Sequence, residues 1–302
     1  MRSLLTRTWL PLVAVIVLAG CGSSTKTTSS TTTGTTTSTT SSATNSAVAA
    51  EVPAAIKSKG TLNVATEAQY APNEFVAPDG HTIIGMDPDL VNAIAGVMGL
   101  KANLVNSNFE TIIPGLASGR YDLGASSFTD TKEREKTVDF VDYFSAGESF
   151  YAKSSANPGV STIADLCGKT VAVEKGTVEQ KGSEAQSKTC TKEGKGSVNV
   201  LVFTGQNAVN LAVSSGRAAL GMADSPVVAY QIHLSNGAFK LAGKSFGFEP
   251  YGLAIPKTAG LTKPIAAALK VLIANGTYHS ILAKWGLTEG AISEPTINGA
   301  KS

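Results

Sequence analysis

Two segments nearly a hundred residues apart repeat a pattern that could present chemistry. Leu116-Ala117-Ser118-Gly119-Arg120 leads through Asp122-Leu123-Gly124-Ala125 to Ser126-Ser127. Val213-Ser214-Ser215-Gly216-Arg217 leads through Leu220-Gly221-Met222-Ala223 to Asp224. Each reads as a helix ending in Ser-Gly-Arg, a short apolar strand, then a polar group. In open α/β sheets, ligands bind outside the carboxyl ends of strands. The echo therefore suggests two similar lobes, each offering polar groups at a strand end; a chance recurrence of helix–turn–strand units is the alternative. Between the echoes, Thr129-Asp130-Thr131-Lys132-Glu133-Arg134 reads as a helix start, where free N–H groups attract anions. Arg134 carries a planar fork that can bond two oxygens at once. On its own residues, the segment also fits an exposed helical cation paired with Glu133 or Glu135.

Motifs for covalent or phosphate chemistry are weak. Gly243-Lys244-Ser245-Phe246-Gly247 matches G-x-S-x-G, but that motif needs a strand–turn–helix elbow. Here Phe248-Glu249-Pro250-Tyr251 continues as a strand. Gly237 to Gly243-Lys244-Ser245 misses a phosphate loop by one intervening residue. His81, His233 and His279 have no motif around them, so a His-built metal centre is not expected, and no cofactor or metal is. Cys167 and Cys190 lack CxxC spacing.

The elements that must position these groups alternate. Thr61–Thr66, Ala102–Val105, Tyr121–Ala125, Thr170–Val173, Val198–Phe203 and Ala219–Ala223 read as strands. Asp87-Pro88 predicts a helix start, with Asp as N-cap and Pro in the first turn. Leu90, Ile94, Val97 and Met98 then share a face, and Gly99 ends the helix. Phe109–Ser118 is expected to be a short helix despite Pro114, and Asn207–Ser215 another. Strands alternating with helices imply an α/β architecture with mainly parallel sheets.

Residues 1–21 stand apart. Arg2 and Arg7 precede an apolar run from Trp9 to Gly20, too short to span a bilayer core. The pattern is a secretory signal. Its end, Leu18-Ala19-Gly20-Cys21, resembles the bacterial lipobox, which implies lipidation of Cys21; an ordinary signal with an incidental Cys is the alternative. From Gly22 to Ala50, 20 of 29 residues are Ser or Thr, too polar to offset their ordering entropy. Residues 22–55 are therefore expected to be a disordered tether. Export would place Cys167 and Cys190 in an oxidising compartment, so a disulfide is expected, with two free thiols as the alternative. Arg2 and Arg7 also account for the excess of 25 basic over 23 acidic side chains. A neutral remainder argues against nucleic acid as a partner.

The run from Ile84 to Phe140 resembles the polar-amino-acid family of periplasmic solute-binding proteins that serve bacterial ABC importers. The similarity rests on Gly85-Met86-Asp87-Pro88-Asp89-Leu90, Phe109 to Asp122, Ser126 to Arg134 and Asp139-Phe140. It continues through Asp165 to Val173 with Gly176-Thr177, the segment reaching Asp224, Tyr251 to Ile255, and Asn275 to Gly286. The resemblance covers roughly residues 57–287. It implies two α/β lobes with mainly parallel central sheets, joined by two hinge strands, with the ligand cleft between them. Lobe 1 would comprise 56–149 plus 250–302, and lobe 2 150–249. The crossings are expected near Glu148–Lys153 and Phe246–Tyr251.

The resemblance also implies a free amino acid as ligand, polar and in first guess basic, captured by lobe closure and delivered to a membrane permease driven by an ATPase subunit. Arg134 would clamp the carboxylate and Asp224 the ammonium. Ser126, Ser127 and Thr129 would add first-lobe groups, and Thr177 would meet the carboxylate from the second. Glu67, Tyr70 and Phe109 would receive the side chain; Glu67 matches an acidic position of the family's basic-amino-acid binders. Two departures bear on the pocket and the hinge: Asn73-Glu74-Phe75 after Pro72, and Asp142-Tyr143-Phe144 after the Asp-Phe strand. The expected protein is a monomer, not an enzyme, lipid-anchored on the outer face of the cell membrane. A ligand sensor would use the same cleft, and some dehydratases resemble this fold.

Overall fold

The computed structural model describes residues 43–302. The stretch expected to be a secretory signal, Cys21 and most of the Ser/Thr-rich segment lie outside the described residues. Chain order begins with helices α1 (Ser46–Glu51) and α2 (Ala54–Lys59), then strand β1 (Thr61–Thr66). A small antiparallel sheet follows, made of β2 (Gln69–Tyr70), β3 (Glu74–Val76) and β4 (Ile83–Ile84). Next come α3 (Met86–Val97), β5 (Lys101–Asn106), α4 (Phe109–Ala117), β6 (Leu123–Gly124) and the long β7 (Val138–Lys153). The second half runs β8 (Thr170–Glu174), α5 (Val178–Lys192), β9 (Asn199–Phe203), α6 (Gln206–Ser214), β10 (Leu220–Asp224) and α7 (Ser225–Leu234). The long β11 (Phe239–Pro256), α8 (Thr262–Ala274) and α9 (Thr277–Trp285) complete it.

Eight strands form one hydrogen-bonded sheet in the order β5-β1-β6-β11-β7-β10-β8-β9. At each end the pairs are parallel: β5 with β1, β1 with β6, β10 with β8, and β8 with β9. The middle is antiparallel, because β7 and β11 pair with each other along almost their whole length. Each long strand serves two lobes. Val141, Tyr143, Phe144 and Ala146 of β7 pack in the first-lobe core, while Phe150 and Ala152 pack in the second. Along β11, Ala242 and Phe246 belong to the second lobe, and Tyr251, Leu253 and Ile255 to the first. The crossings thus fall at Ala146–Phe150 and Phe246–Tyr251. On β7 this begins before the expected Glu148–Lys153 span, because Phe150 and Tyr151 already turn their rings into second-lobe clusters. Register shifts at Phe246, Glu249 and Tyr251 interrupt the pairing inside the crossing, as bulges that bend a strand do.

Three local expectations are corrected. The segment expected to be a tether is folded from Ser46 onward. The Asn45 side chain accepts from the N–H groups of Ala47 and Val48, and Val48 and Val52 are buried in the first-lobe core. Val48 within α1 and Val52 just past its end give this stretch the apolar surface its Ser/Thr-rich neighbours lack. Asp87 does not cap α3. The helix begins two residues earlier, with Gly85 as N-cap at φ +139°. A Cβ at Gly85 would collide with the Asn73 carbonyl. Asp87 is instead buried and accepts from Ser127 N at 2.9 Å and Tyr143 Oη at 2.7 Å. Finally, Arg134 opens a three-residue 3-10 turn, Arg134–Lys136, rather than a helix, because β7 starts at Val138.

Cys167 and Cys190 are joined in a disulfide with Cα atoms 5.5 Å apart, tying the last turn of α5 to the loop before β8.

Candidate functional site

The ends of β1 and β6 build the first-lobe half of the site. Glu67 follows β1, and its N–H donates to Ser126 Oγ at 2.9 Å just past β6. Ser126 and Ser127 each donate a hydroxyl to Glu74, both at 3.1 Å, and Ser127 also accepts from Asn73 Nδ2 at 2.9 Å. Ser127 sits at φ +49°. These hydroxyls, expected to face a ligand, are turned into a buried network around Glu74. Burial, with the charge of Asp87 adding, pushes the Glu74 carboxyl well above the usual range. Phe109, the first residue of α4, stacks on Phe128 with ring centres 4.6 Å apart. The Arg134 guanidinium lies 5.3 Å from the Phe109 ring and 5.5 Å from that of Phe128.

The second-lobe half uses the ends of β8 and β10. Glu174 ends β8, and Gly176 turns the chain at φ +83° into α5. Thr177 is the N-cap of α5. Its hydroxyl accepts from Gln180 N at 3.2 Å and donates to the Glu174 carbonyl at 2.8 Å, so capping occupies it. Asp224 ends β10 and is the N-cap residue of α7, although its side chain makes no capping bond.

The halves meet. Tyr70 Oη, from the first lobe, donates to Asp224 Oδ2 at 2.9 Å and accepts from Asp224 N at 3.1 Å. Arg134 Nη1 donates to the Thr129 carbonyl at 2.7 Å, and Nη2 to the second-lobe Gly176 carbonyl at 3.0 Å. Lys175 pairs with Glu110 at 3.5 Å, and Lys181 with Glu133 at 2.7 Å. A Cβ at Gly176 would stand 2.9 Å from the Glu110 Cβ, so glycine permits this approach. The lobes are closed on one another.

Between them lies a tight cavity of about 10 Å³, measured for the centre of a water-sized sphere. All nine residues singled out from the sequence line it: Glu67, Tyr70, Phe109, Ser126, Ser127, Thr129, Arg134, Thr177 and Asp224. Four more line it that sequence reasoning missed, namely Glu74, Glu174, Val178 and Glu179. Glu174 carries the same signal as Asp224, a carboxylate ending an apolar strand, and that signal could have found it.

The electrostatics are lopsided. Five carboxyl groups line the cavity, and Arg134 is the one cation among its lining residues. Burial pushes Glu67 up to about 7, with a bond from the Gln69 backbone opposing and the charge of Glu110 adding. Burial and then Glu67 push Glu174 up to about 10. Burial raises Asp224, reinforced by Glu179. Burial lowers Arg134, while Glu179 and Asp224 oppose the shift. Both oxygens of Glu67, and Oε1 of both Glu174 and Glu179, are buried without a hydrogen-bond partner. Unpaired buried carboxyls are costly, so the cavity is suited to a small molecule with cationic groups for these oxygens and an anionic group for Arg134.

Comparison with known proteins agrees with this geometry. Residues 62–288 match the model of the bacterial extracellular solute-binding proteins, family 3. The arginine-binding protein ArgT of Corynebacterium glutamicum is 37% identical over 249 residues, covering 82% of this chain and 81% of its own. An ancestral arginine-binding protein bound to arginine superposes with a TM-score of 0.68 at 34% identity, over 75% of this chain and 98% of that one. The P235GK mutant of ArgBP from T. maritima gives 0.70 at 31% identity, over 77% and 97%. With two α/β lobes closed around a charged cavity and a family match over most of its length, the chain belongs to the bacterial extracellular solute-binding proteins of family 3.

Proposed function

We propose that this protein captures a free basic amino acid, arginine in first place, outside the cytoplasm and delivers it to an ABC permease. The observation that carries the reading is the composition of one cavity: a single guanidinium facing buried carboxylates that come from both lobes. A free amino acid is a zwitterion, and a closed site must pair both of its charges. Arg134 bonds the ligand carboxylate, assisted by the backbone at the start of α5, where Thr177 and Val178 line the cavity. Asp224 receives the ammonium group, with Ser127 and Thr129 beside it. The aliphatic stem runs between Phe109 and Tyr70, and the cationic head reaches Glu67. The proposed clamp and ammonium partner belong to opposite lobes, so an open cleft satisfies only part of the ligand. Closure gives the ligand extra affinity for the closed form and shifts the equilibrium towards it. The arginine-binding relatives support the choice of head group.

The protein acts as a monomer, held to the outer face of the membrane through lipid on Cys21, and returns its ligand unaltered. Native mass spectrometry of residues 43–302 with a panel of amino acids tests this. A one-to-one adduct strongest with arginine, lysine or ornithine is expected. Chemical conversion of an added amino acid or prephenate-like acid, or no adduct with any amino acid, would remove the reading.

A further inference from the structure

Glu67 ends β1 in the first lobe, and Glu174 ends β8 in the second. Each is 2% exposed, and three of their four carboxyl oxygens have no hydrogen-bond partner. Among the described residues, no Lys or Arg pairs with either carboxyl. Arg134 spends two donors on the Thr129 and Gly176 carbonyls, and Lys175, next in sequence to Glu174, pairs with Glu110. The other charges felt by Glu174 are also negative: Glu110 from α4, Glu179 from α5 and Asp224 from β10. Both carboxyls are driven towards their protonated forms when they are buried together, which opposes closure at neutral pH, whereas a cation placed between them lets them ionise. An uncharged ligand of equal size would leave that cost in place, which is discrimination by an unfavourable alternative.

We propose that Glu174 and Glu67 form a carboxylate pair, split between the lobes, that lets the cleft close stably only around a ligand whose side chain ends in a cation. The proposal rests on the amino-acid-binding reading above and adds a selecting residue, Glu174. Selection occurs at closure rather than at first contact, because neither half of the pair is complete in an open cleft.

Arginine and citrulline differ by the exchange of a guanidinium nitrogen for a neutral urea oxygen, so calorimetric titration with both isolates the charge. The wild-type protein is expected to prefer arginine by roughly 100-fold or more, and Glu174→Gln to reduce that preference by about tenfold or more. Arginine should weaken and citrulline strengthen, whereas loss of a merely structural contact would weaken both alike. Glu174→Asp should retain the preference. A preference unchanged within about twofold in Glu174→Gln overturns the proposal. So does a wild-type protein that binds citrulline as tightly as arginine, an outcome that leaves amino-acid binding intact. Binding of no amino acid at all overturns both readings. Small-angle scattering on the unmodified chain gives an independent readout: saturating arginine should compact the protein more than saturating citrulline, and equal compaction overturns the proposal.

Discussion

Replacing Arg134 by Ala should weaken arginine binding by about 2–5 kcal/mol, roughly thirty-fold to several thousand-fold. The magnitude follows from its surroundings. A guanidinium has five N–H donors, and Arg134 commits two groups to the Thr129 and Gly176 carbonyls at 2.7 and 3.0 Å. The remaining N–H groups can donate to a carboxylate side-on. Hydrogen bonds to charged groups contribute roughly 1.5–3 kcal/mol each, so two of them span most of the range. The substitution also removes the one positive charge among the cavity-lining residues, leaving a ligand carboxylate opposite Glu179 and Asp224. Arg134→Lys keeps the charge without the fork, so it should recover less than half of the loss. Isothermal titration of both variants with arginine, alongside urea unfolding to check the fold, makes the measurement. Affinity within about threefold of wild type in a folded Arg134→Ala protein would refute the carboxylate-clamp assignment.

Two further predictions concern stability. Glu67 and Glu174 hold their protons more tightly when folded than when unfolded, being pushed up to about 7 and about 10 by burial. The folded state then binds more protons than the unfolded state above the ordinary carboxyl range, so the stability of the unliganded protein should fall as pH rises from about 5 to 9. Each shifted group contributes at most about 1.4 kcal/mol per pH unit across its own window. Bound arginine should flatten the decline, and a melting temperature that climbs with pH over this range without ligand would contradict the burial argument. The Cys167–Cys190 bridge closes a loop of sequence separation 23. Replacing both cysteines by Ser should cost about 3 kcal/mol on the chain-entropy model, read as a lower urea midpoint. Arginine affinity should change little, because the bridge holds the end of α5 remote from Thr177; a loss below about 0.5 kcal/mol would mean that packing alone positions that helix end.

The alternation of strand and helix patterns was legible because it depends on neighbours in the chain. Thr61–Thr66 alternates and is β1 with the bounds read from it, and the Leu90, Ile94, Val97 stripe is the buried face of α3. Asp224 and Ser126–Ser127 were legible as groups at strand ends, because a strand's carboxyl edge is a local property. What a side chain does there was not. Ser126 and Ser127 turn to Glu74, Asp87 leaves its helix end for Tyr143, and Thr177 spends its hydroxyl on its own helix. Except for Thr177, whose partners are three residues away, each outcome was set by a partner that the fold brought from more than fifty residues away.

The sequence by itself determined which segments become strands and helices, and it placed polar groups at the ends of two of those strands. Tertiary structure alone decided that Glu67 and Glu174 line one cavity, and that the folded body reaches back to Ser46. Elements form through contacts a few residues apart, whereas the charge state and partners of a buried carboxyl depend on whatever the opposite lobe places against it.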